Sequence, residues 1–177
     1  MNVFILNAGR CGSMTFIAAC RHISNYTAAH ESLTRCIGGQ RLAYPPDHIE
    51  ADNRLSWFLG RLDRAYGDDA FYVHLHRDRE KSAGSFARRE QFGIMKAYKE
   101  GILLGEEAQW PARELATDYL ETVEANIQLF LKDKSRKMDF TLEEATTNFP
   151  GFWERIGAEG DLDRALREWE ISYNASA

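Results

Sequence analysis

Short apolar runs and longer stripes of helically spaced apolar residues alternate along this chain. The run at 3–7 is typical of a buried parallel strand, and the aromatic and branched residues at 71–76 predict a second strand. Two further short strands are predicted at 26–29 and 137–141. Because strands and helices follow one another in turn, we expect an α/β fold with a mainly parallel sheet.

Helical spacing of apolar residues accounts for most of the chain between those strands. Helices are predicted at 53–66, 81–90, 112–132 and 148–170, with a shorter one that ends near His22. Residues 33–52 contain Gly38-Gly39 and Pro45-Pro46, and this segment is interpreted as an irregular surface excursion. No repeat or linker interrupts the sequence, so 1–177 is treated as a single domain.

The composition excludes several classes of protein. With 44% hydrophobic residues the 177-residue chain can build a core, and its net charge of −5 argues against a general nucleic-acid binder. No apolar run approaches the roughly 20 residues of a membrane span, and the apolar start is too short for a signal peptide. The three cysteines, Cys11, Cys20 and Cys36, lack metal-ligand spacing and are expected to be reduced thiols. These features predict a soluble, cytoplasmic protein.

A glycine-containing loop joins the first predicted strand to the first predicted helix, where a phosphate loop would lie. Gly9 and Gly12 let the backbone curl so that N–H groups and the helix N-terminus face an anion. Ser13 occupies the position of the lysine that nucleotide triphosphatases need, and Met14 replaces their magnesium-binding hydroxyl. A cation stands earlier, at Arg10. A plain strand-to-helix turn is the alternative interpretation.

A second candidate site follows the strand at 71–76. Arg77 stands at the end of that strand, and Ser85 lies eight residues further on, inside the next predicted helix. Ligands of open α/β sheets bind beyond the carboxyl ends of the strands, so Arg77 is expected to face the same crevice as the glycine loop. A guanidinium and a hydroxyl can then share one phosphate. The alternative is a solvated helix start, with Arg77 paired to Asp78 or a neighbouring acid.

Together the two motifs resemble those of the sulfotransferases that use 3'-phosphoadenosine 5'-phosphosulfate (PAPS). The resemblance implies a three-layer, P-loop-like fold in which helices flank the central sheet. It also implies that PAPS is the donor, with its 3'-phosphate held by Arg77 and Ser85 and its 5'-phosphosulfate held by the glycine-containing loop. The residues implied for that loop are Gly9, Arg10, Cys11, Gly12, Ser13, Met14 and Thr15. A transfer of this kind requires no metal.

Further segments extend the resemblance, and some residues depart from it. His30-Glu31-Ser32 is similar to a His-Glu-Pro stretch of bacterial members, and the helix end at Gly157 and Tyr173-Asn174-Ala175-Ser176 are similar to the family's C-terminal part. Arg79 stands where proline is common, Met14 replaces a frequent threonine, and the sequence has no C-terminal Arg-Lys-Gly motif. The chain is also short for the family, which implies that the portion covering the acceptor is reduced.

The implied reaction moves a sulfuryl group from PAPS to a hydroxyl or amine of a small-molecule or glycan acceptor. Arg10 and the backbone N–H groups of the loop are candidates for stabilising the charge that builds on the leaving phosphate. His30 and Glu31 follow a predicted strand and are the first candidates for the general base that deprotonates the acceptor.

The general base is not decided by the sequence, because other acids and histidines are available. His48, Glu50 and Asp52 form a second candidate group, so the choice among His30, Glu31 and His48 stays open. Packing on one face of a buried strand accounts for His74 and His76.

Two other classes of function stay open. A nucleotide kinase or triphosphatase predicts magnesium and a loop lysine, and a non-catalytic nucleotide-binding module predicts that His30 and Glu31 do not approach the donor sulfate.

Arg10 and the helix N-terminus are expected to lower the pKa of Cys11. The acceptor is expected to contact 33–52 and 91–111, which carry no recognisable motif, and the oligomeric state is not indicated.

Overall fold

A parallel sheet forms the centre of the protein. The computed structural model describes residues 1–171, and its five strands lie in the order β2-β3-β1-β4-β5, each parallel to its neighbours. The strands are β1 (Val3–Leu6), β2 (Thr27–His30), β3 (His48–Ala51), β4 (Phe71–His76) and β5 (Lys137–Thr141). The expected α/β fold with a parallel sheet is confirmed.

Helices connect the strands and cover both faces of the sheet. They are α1 (Ser13–Cys20), α2 (Leu59–Tyr66), α3 (Arg79–Ala87), α4 (Gly93–Lys96), α5 (Ala112–Leu131), α6 (Ala145–Arg155) and α7 (Leu162–Arg167). A π-helical turn, Ala97–Ile102, follows α4, and short 3-10 turns occupy Gly38–Leu42, Asn53–Trp57, Leu142–Glu144 and Glu168–Glu170.

Alternation along the strands divides the interior into two apolar layers. Val3 and Ile5 of β1 point into a core that contains residues of α1, α6 and α7. Phe4 and Leu6 point to the opposite face, where α2, α3 and α5 pack. The result is the expected three-layer arrangement, with the sheet between two helical layers.

Strand β3 corrects the interpretation of 33–52 as a surface excursion. All of β3 is buried, and it pairs with both β1 and β2. Its polar residues are satisfied inside the protein: His48 Nδ1 is 2.8 Å from Thr27 Oγ1, and His48 Nε2 is 3.0 Å from Glu50 Oε2. Buried polar groups are stable where they have such partners. The strand can therefore be buried although it lacks the apolar run by which the other central strands are recognised.

The remaining differences concern boundaries. The predicted helix at 53–66 divides into a 3-10 turn and α2, and the predicted helix at 148–170 divides into α6 and α7. Helix α3 starts earlier than predicted, since the Asp78 carboxylate caps it by accepting the Lys81 N–H at 2.8 Å.

The segment Tyr173-Asn174-Ala175-Ser176 lies outside the described residues. Within residues 1–171, no helix is both long and apolar enough to cross a membrane.

Candidate functional site

The loop between β1 and α1 has a backbone shape that depends on glycine. Gly9, Arg10 and Gly12 all have positive φ, at 99°, 59° and 88°. A Cβ atom on Gly12 would lie only 2.5 Å from Leu142 Cδ1, so the following segment packs directly against this glycine. Asn7 supports the turn: its Oδ1 accepts the Gly9 N–H at 2.9 Å, and its Nδ2 donates to Ile5 O at 3.0 Å.

A cleft of about 780 Å³ opens above this loop and collects nearly all of the predicted site residues. Those that line it are Gly9, Arg10, Gly12, Ser13, Met14, Thr15, His30, Glu31, Arg77 and Ser85. Gly12 provides no side-chain cap for α1, which leaves the N-terminal end of that helix open toward an anion.

Cys11 is the exception among the loop residues. Its side chain lies beneath the loop, only 3% exposed, and it is not among the residues that line the cleft. Burial raises the pKa of the Cys11 thiol to about 12, and this effect outweighs the neighbouring arginine. The expectation of a lowered pKa for Cys11 is therefore wrong.

The strand order arranges the site along the carboxyl edge of the sheet. His30 ends β2, Asn53 and Arg54 follow β3, and the glycine loop follows β1 in the middle. Arg77 follows β4, and Glu143 follows β5. The predicted base residues therefore lie on one side of the loop and the predicted 3'-phosphate residues on the other.

Three of the predicted site residues come together beside the loop: Arg77, Ser85 and Arg10. Arg10 Nε donates to Ser85 Oγ at 3.2 Å, and Arg77 Nη1 lies 3.5 Å from Arg10 O. Arg77 pairs with Glu143, whose Oε1 is 3.8 Å from Arg77 Nε, rather than with Asp78. That distance is too long for a hydrogen bond, and the buried Arg77 Nε has no hydrogen-bond partner in the described structure.

Positive charge is concentrated in this part of the cleft. Arg88 and Arg89, which follow α3, line the cleft together with Arg10 and Arg77. Burial lowers the pKa of Arg10, and repulsion from Arg89, Arg77 and Arg88 lowers it further. A site in which guanidinium groups repel one another is suited to a ligand that carries several negative charges.

The opposite side of the loop contains the candidate base. His30 Nε2 is 3.0 Å from Ser13 Oγ, so the imidazole touches the first residue of α1. Glu31 has a positive φ of 52° and its carboxylate pairs with Arg54 at 2.8 Å. The fully buried Glu50 carboxylate accepts hydrogen bonds from Ser32 N at 2.7 Å and Ser32 Oγ at 2.6 Å, which holds the turn after β2.

The second candidate group for the base lies away from the cleft lining. His48 and Glu50 belong to the buried network of β3, and Asp52 is paired with Arg41, whose Nη2 is 2.5 Å from its carboxylate. These residues are 0–5% exposed, so an acceptor cannot reach them. They form the frame on which His30 and Glu31 are held.

Several lining residues were not identified from the sequence. Asn53 and Arg54 follow the strand that was not predicted, and recognising β3 would have placed them at the sheet edge. The other side of the cleft is lined by Leu142, Glu143 and Trp169, and no pattern in the sequence marks them as site residues.

Comparison with known proteins identifies the fold. No protein-family model matches the sequence, and no curated protein sequence matches it significantly. The sulfotransferase domain from the curacin biosynthetic pathway superimposes with a TM-score of 0.65 at 13% identity, over 97% of this chain and 78% of that one. Mouse sulfotransferase SULT7A1 complexed with PAP gives 0.53 at 11% identity, over 95% of this chain and 64% of the mouse protein. The chain thus has the fold of the sulfotransferases.

Proposed function

We propose that this protein is a sulfotransferase that moves a sulfuryl group from PAPS to a hydroxyl or amine of an acceptor. The observation that carries the proposal is that the phosphate loop, the Arg77–Ser85 pair and His30 all line one cleft. They do so at the carboxyl edge of a sheet with the sulfotransferase fold, where open α/β sheets bind their ligands.

The residues on the donor side fit a doubly phosphorylated nucleotide. Arg77 and Ser85 bind the 3'-phosphate. Both line the cleft beside the glycine loop, and Arg77 Nε has no hydrogen-bond partner among the described residues, which supports this assignment because such a donor needs an acceptor. Arg10 and the N–H groups at the start of α1 bind the 5'-phosphosulfate. When bound, the donor supplies the sulfuryl group.

His30 is the proposed general base. Its Nε2 lies beside Ser13 at the loop, whereas the Glu31 carboxylate is engaged by Arg54. The acceptor hydroxyl gives its proton to His30 Nε2. At the same time the acceptor oxygen forms a bond to the sulfur of PAPS, and the bond between that sulfur and the oxygen that bridges it to the phosphate breaks. Arg10 stabilises the negative charge that then remains on the departing phosphate. Glu31 orients the acceptor.

Titration calorimetry with 3',5'-adenosine bisphosphate and with ATP–magnesium tests the donor. We expect the bisphosphate to bind and ATP–magnesium to bind more weakly, because Ser13 replaces the lysine that a triphosphatase needs. A preference for ATP–magnesium would support a kinase or triphosphatase instead. Transfer of label from PAPS to a metabolite extract distinguishes an enzyme from a non-catalytic binding module.

Replacing Arg77 by alanine tests the 3'-phosphate site. We expect Arg77→Ala to weaken bisphosphate binding by about 1.5–3 kcal/mol, the range for a hydrogen bond to a charged group. Arg79→Ala is a matched control, since Arg79 is exposed and pairs with Glu121 outside the cleft. Equal affinities of the two variants would show that Arg77 has been assigned wrongly.

A further inference from the structure

Glu143 is an acidic residue beside the arginine that is assigned to the 3'-phosphate. It belongs to the 3-10 turn that follows β5, and its neighbour Leu142 packs against Gly12 of the glycine loop. The turn therefore lies at the carboxyl edge of the sheet, next to the end of β4 from which Arg77 extends. A carboxylate beside a phosphate site repels the phosphate, so it is expected there only where it neutralises a cation or binds another group of the ligand.

Three neighbouring groups hold the Glu143 carboxylate and offset its charge. The Asp78 N–H, at the start of α3, lies 3.3 Å from Oε1 and 3.2 Å from Oε2. Arg77 Nε and Lys81 Nζ each lie 3.8 Å from Oε1, which is within the range of an ion pair but too long for a hydrogen bond. The Glu143 side chain is 33% exposed and lines the cleft. The carboxylate is thus fixed at the wall of the cleft with its charge largely balanced.

The Glu143 carboxylate can accept a further hydrogen bond from a ligand. An ionised carboxylate offers about four acceptor positions, and the bond from the Asp78 N–H uses only part of that capacity. Sugar hydroxyls are suitable donors, and carboxylates accept hydrogen bonds from the ribose 2'-hydroxyl in other α/β nucleotide sites.

The covalent structure of PAPS puts such a hydroxyl beside its 3'-phosphate. The 3'- and 5'-oxygens of the ribose are both phosphorylated, so the 2'-hydroxyl is the free hydroxyl of the sugar. It is attached to the carbon next to the one that carries the 3'-phosphate. A group that binds the 2'-hydroxyl must therefore be a close neighbour of the group that binds the 3'-phosphate, as Glu143 is of Arg77.

We propose that Glu143 accepts a hydrogen bond from the ribose 2'-hydroxyl of the donor and thereby selects ribonucleotides over 2'-deoxyribonucleotides. This inference rests on the proposed function, because it takes Arg77 as the residue that binds the 3'-phosphate. Arg77 and Glu143 then read neighbouring positions of one ribose, the first by charge and the second by accepting a proton donor.

Two nucleotides that differ in one hydroxyl test the inference on the unaltered protein. They are adenosine 3',5'-bisphosphate and 2'-deoxyadenosine 3',5'-bisphosphate, and titration calorimetry measures their affinities. We expect the ribonucleotide to bind more tightly by a factor of about ten or more, as for loss of a hydrogen bond to a charged group. Equal affinities would overturn the inference.

The variant Glu143→Ala assigns the preference to this carboxylate. We expect the ratio of the two affinities to fall to about one, while the control variant Glu144→Ala keeps the ratio of the unaltered protein. Glu144 is the next acid along the chain, does not line the cleft, and has its carboxylate 3.4 Å from Asn148 Nδ2. If Glu143 serves only to neutralise Arg77, its removal changes both affinities by the same factor and leaves the ratio intact, which would contradict the proposal.

The same titrations separate failure of this inference from failure of the proposed function. If the unaltered protein binds both nucleotides equally well, the role of Glu143 is wrong while the donor assignment stands. If it binds neither nucleotide, the sulfotransferase proposal fails and this inference fails with it.

Discussion

The two halves of the sheet's carboxyl edge are built differently. The half proposed to bind the donor, called here the donor half, rests on β1 and β4, whose apolar side chains pack into both cores, and its loop after β1 takes its shape from positive φ at Gly9, Arg10 and Gly12. The base half rests on β2 and β3, where buried charged and polar side chains hold the strands and turns: Arg41 with Asp52, and His48 with Glu50. Non-directional packing tolerates change better than a buried charge pair, so the base half is the more sensitive to single substitutions.

Breaking the buried Arg41–Asp52 pair is expected to have the largest effect. Its side chains are 3% and 0% exposed, and burial raises the pKa of Asp52 even though Arg41 opposes that rise. We expect Asp52→Ala to lower the free energy of unfolding by about 3–5 kcal/mol, because Arg41 is left buried without its partner. Urea unfolding measures this loss.

The control for that prediction is Glu121→Ala, which removes the partner of Arg79 in a pair whose side chains are 72% and 48% exposed. An exposed pair of this kind contributes about 0–1 kcal/mol. Similar losses in the two variants would mean that the base half does not depend on its buried charges.

Substitution of Gly12 tests the donor half. Gly12→Ala places a Cβ 2.5 Å from Leu142 at a φ of 88°, and we expect a loss of about 1–3 kcal/mol in the free energy of unfolding and weaker bisphosphate binding. Gly39→Ala is the control, since no atom lies within 4 Å of its added Cβ and its φ is not positive. If Gly12→Ala and Gly39→Ala unfold at the same urea concentration, the loop does not depend on the glycine conformation.

A smaller effect is expected from pH. Burial lowers the pKa of His74, the charge of His76 lowers it further, and Asp139 only partly opposes them. The unfolded chain therefore takes up a proton at a higher pH than the native protein does, so stability is lost as the pH falls from the ordinary histidine pKa through the lowered one. As the pH falls from about 7.5 to 5.5, we expect the free energy of unfolding of the His74→Gln variant to decrease less than that of the unaltered protein. Equal losses in urea unfolding would exclude His74 as the source.

The positions of the glycine loop and of Arg77 could be predicted well because these segments obey simple patterns. The apolar run of β4 marks 71–76, and the position of Arg77 at its end follows from that boundary. Gly9 and Gly12 mark the loop, since positive φ favours glycine. The parallel α/β architecture follows from the same alternation of strands and helices.

The base half could not be predicted to the same extent. The polar residues of β3 are acceptable in a buried strand only because Thr27 and Ser32 are their partners, and pairing between distant residues leaves no periodic signal. Because the sequence does not indicate β3, His48, Glu50 and Asp52 fit a second candidate group for the base, and nothing assigns Asn53 and Arg54 to the cleft. The sequence predicts a lowered pKa for the Cys11 thiol, whereas burial in a core built from several distant segments raises it.

The contact between Gly12 and Leu142 has a consequence for how the protein acquires its site during synthesis. The glycine loop emerges near the start of the chain, but the side chain that packs on it comes 130 positions later, after β5. Domains whose contacts join distant positions close those contacts late. The glycine loop therefore reaches its final packing only after β5 and Leu142 have been synthesised and have folded onto it.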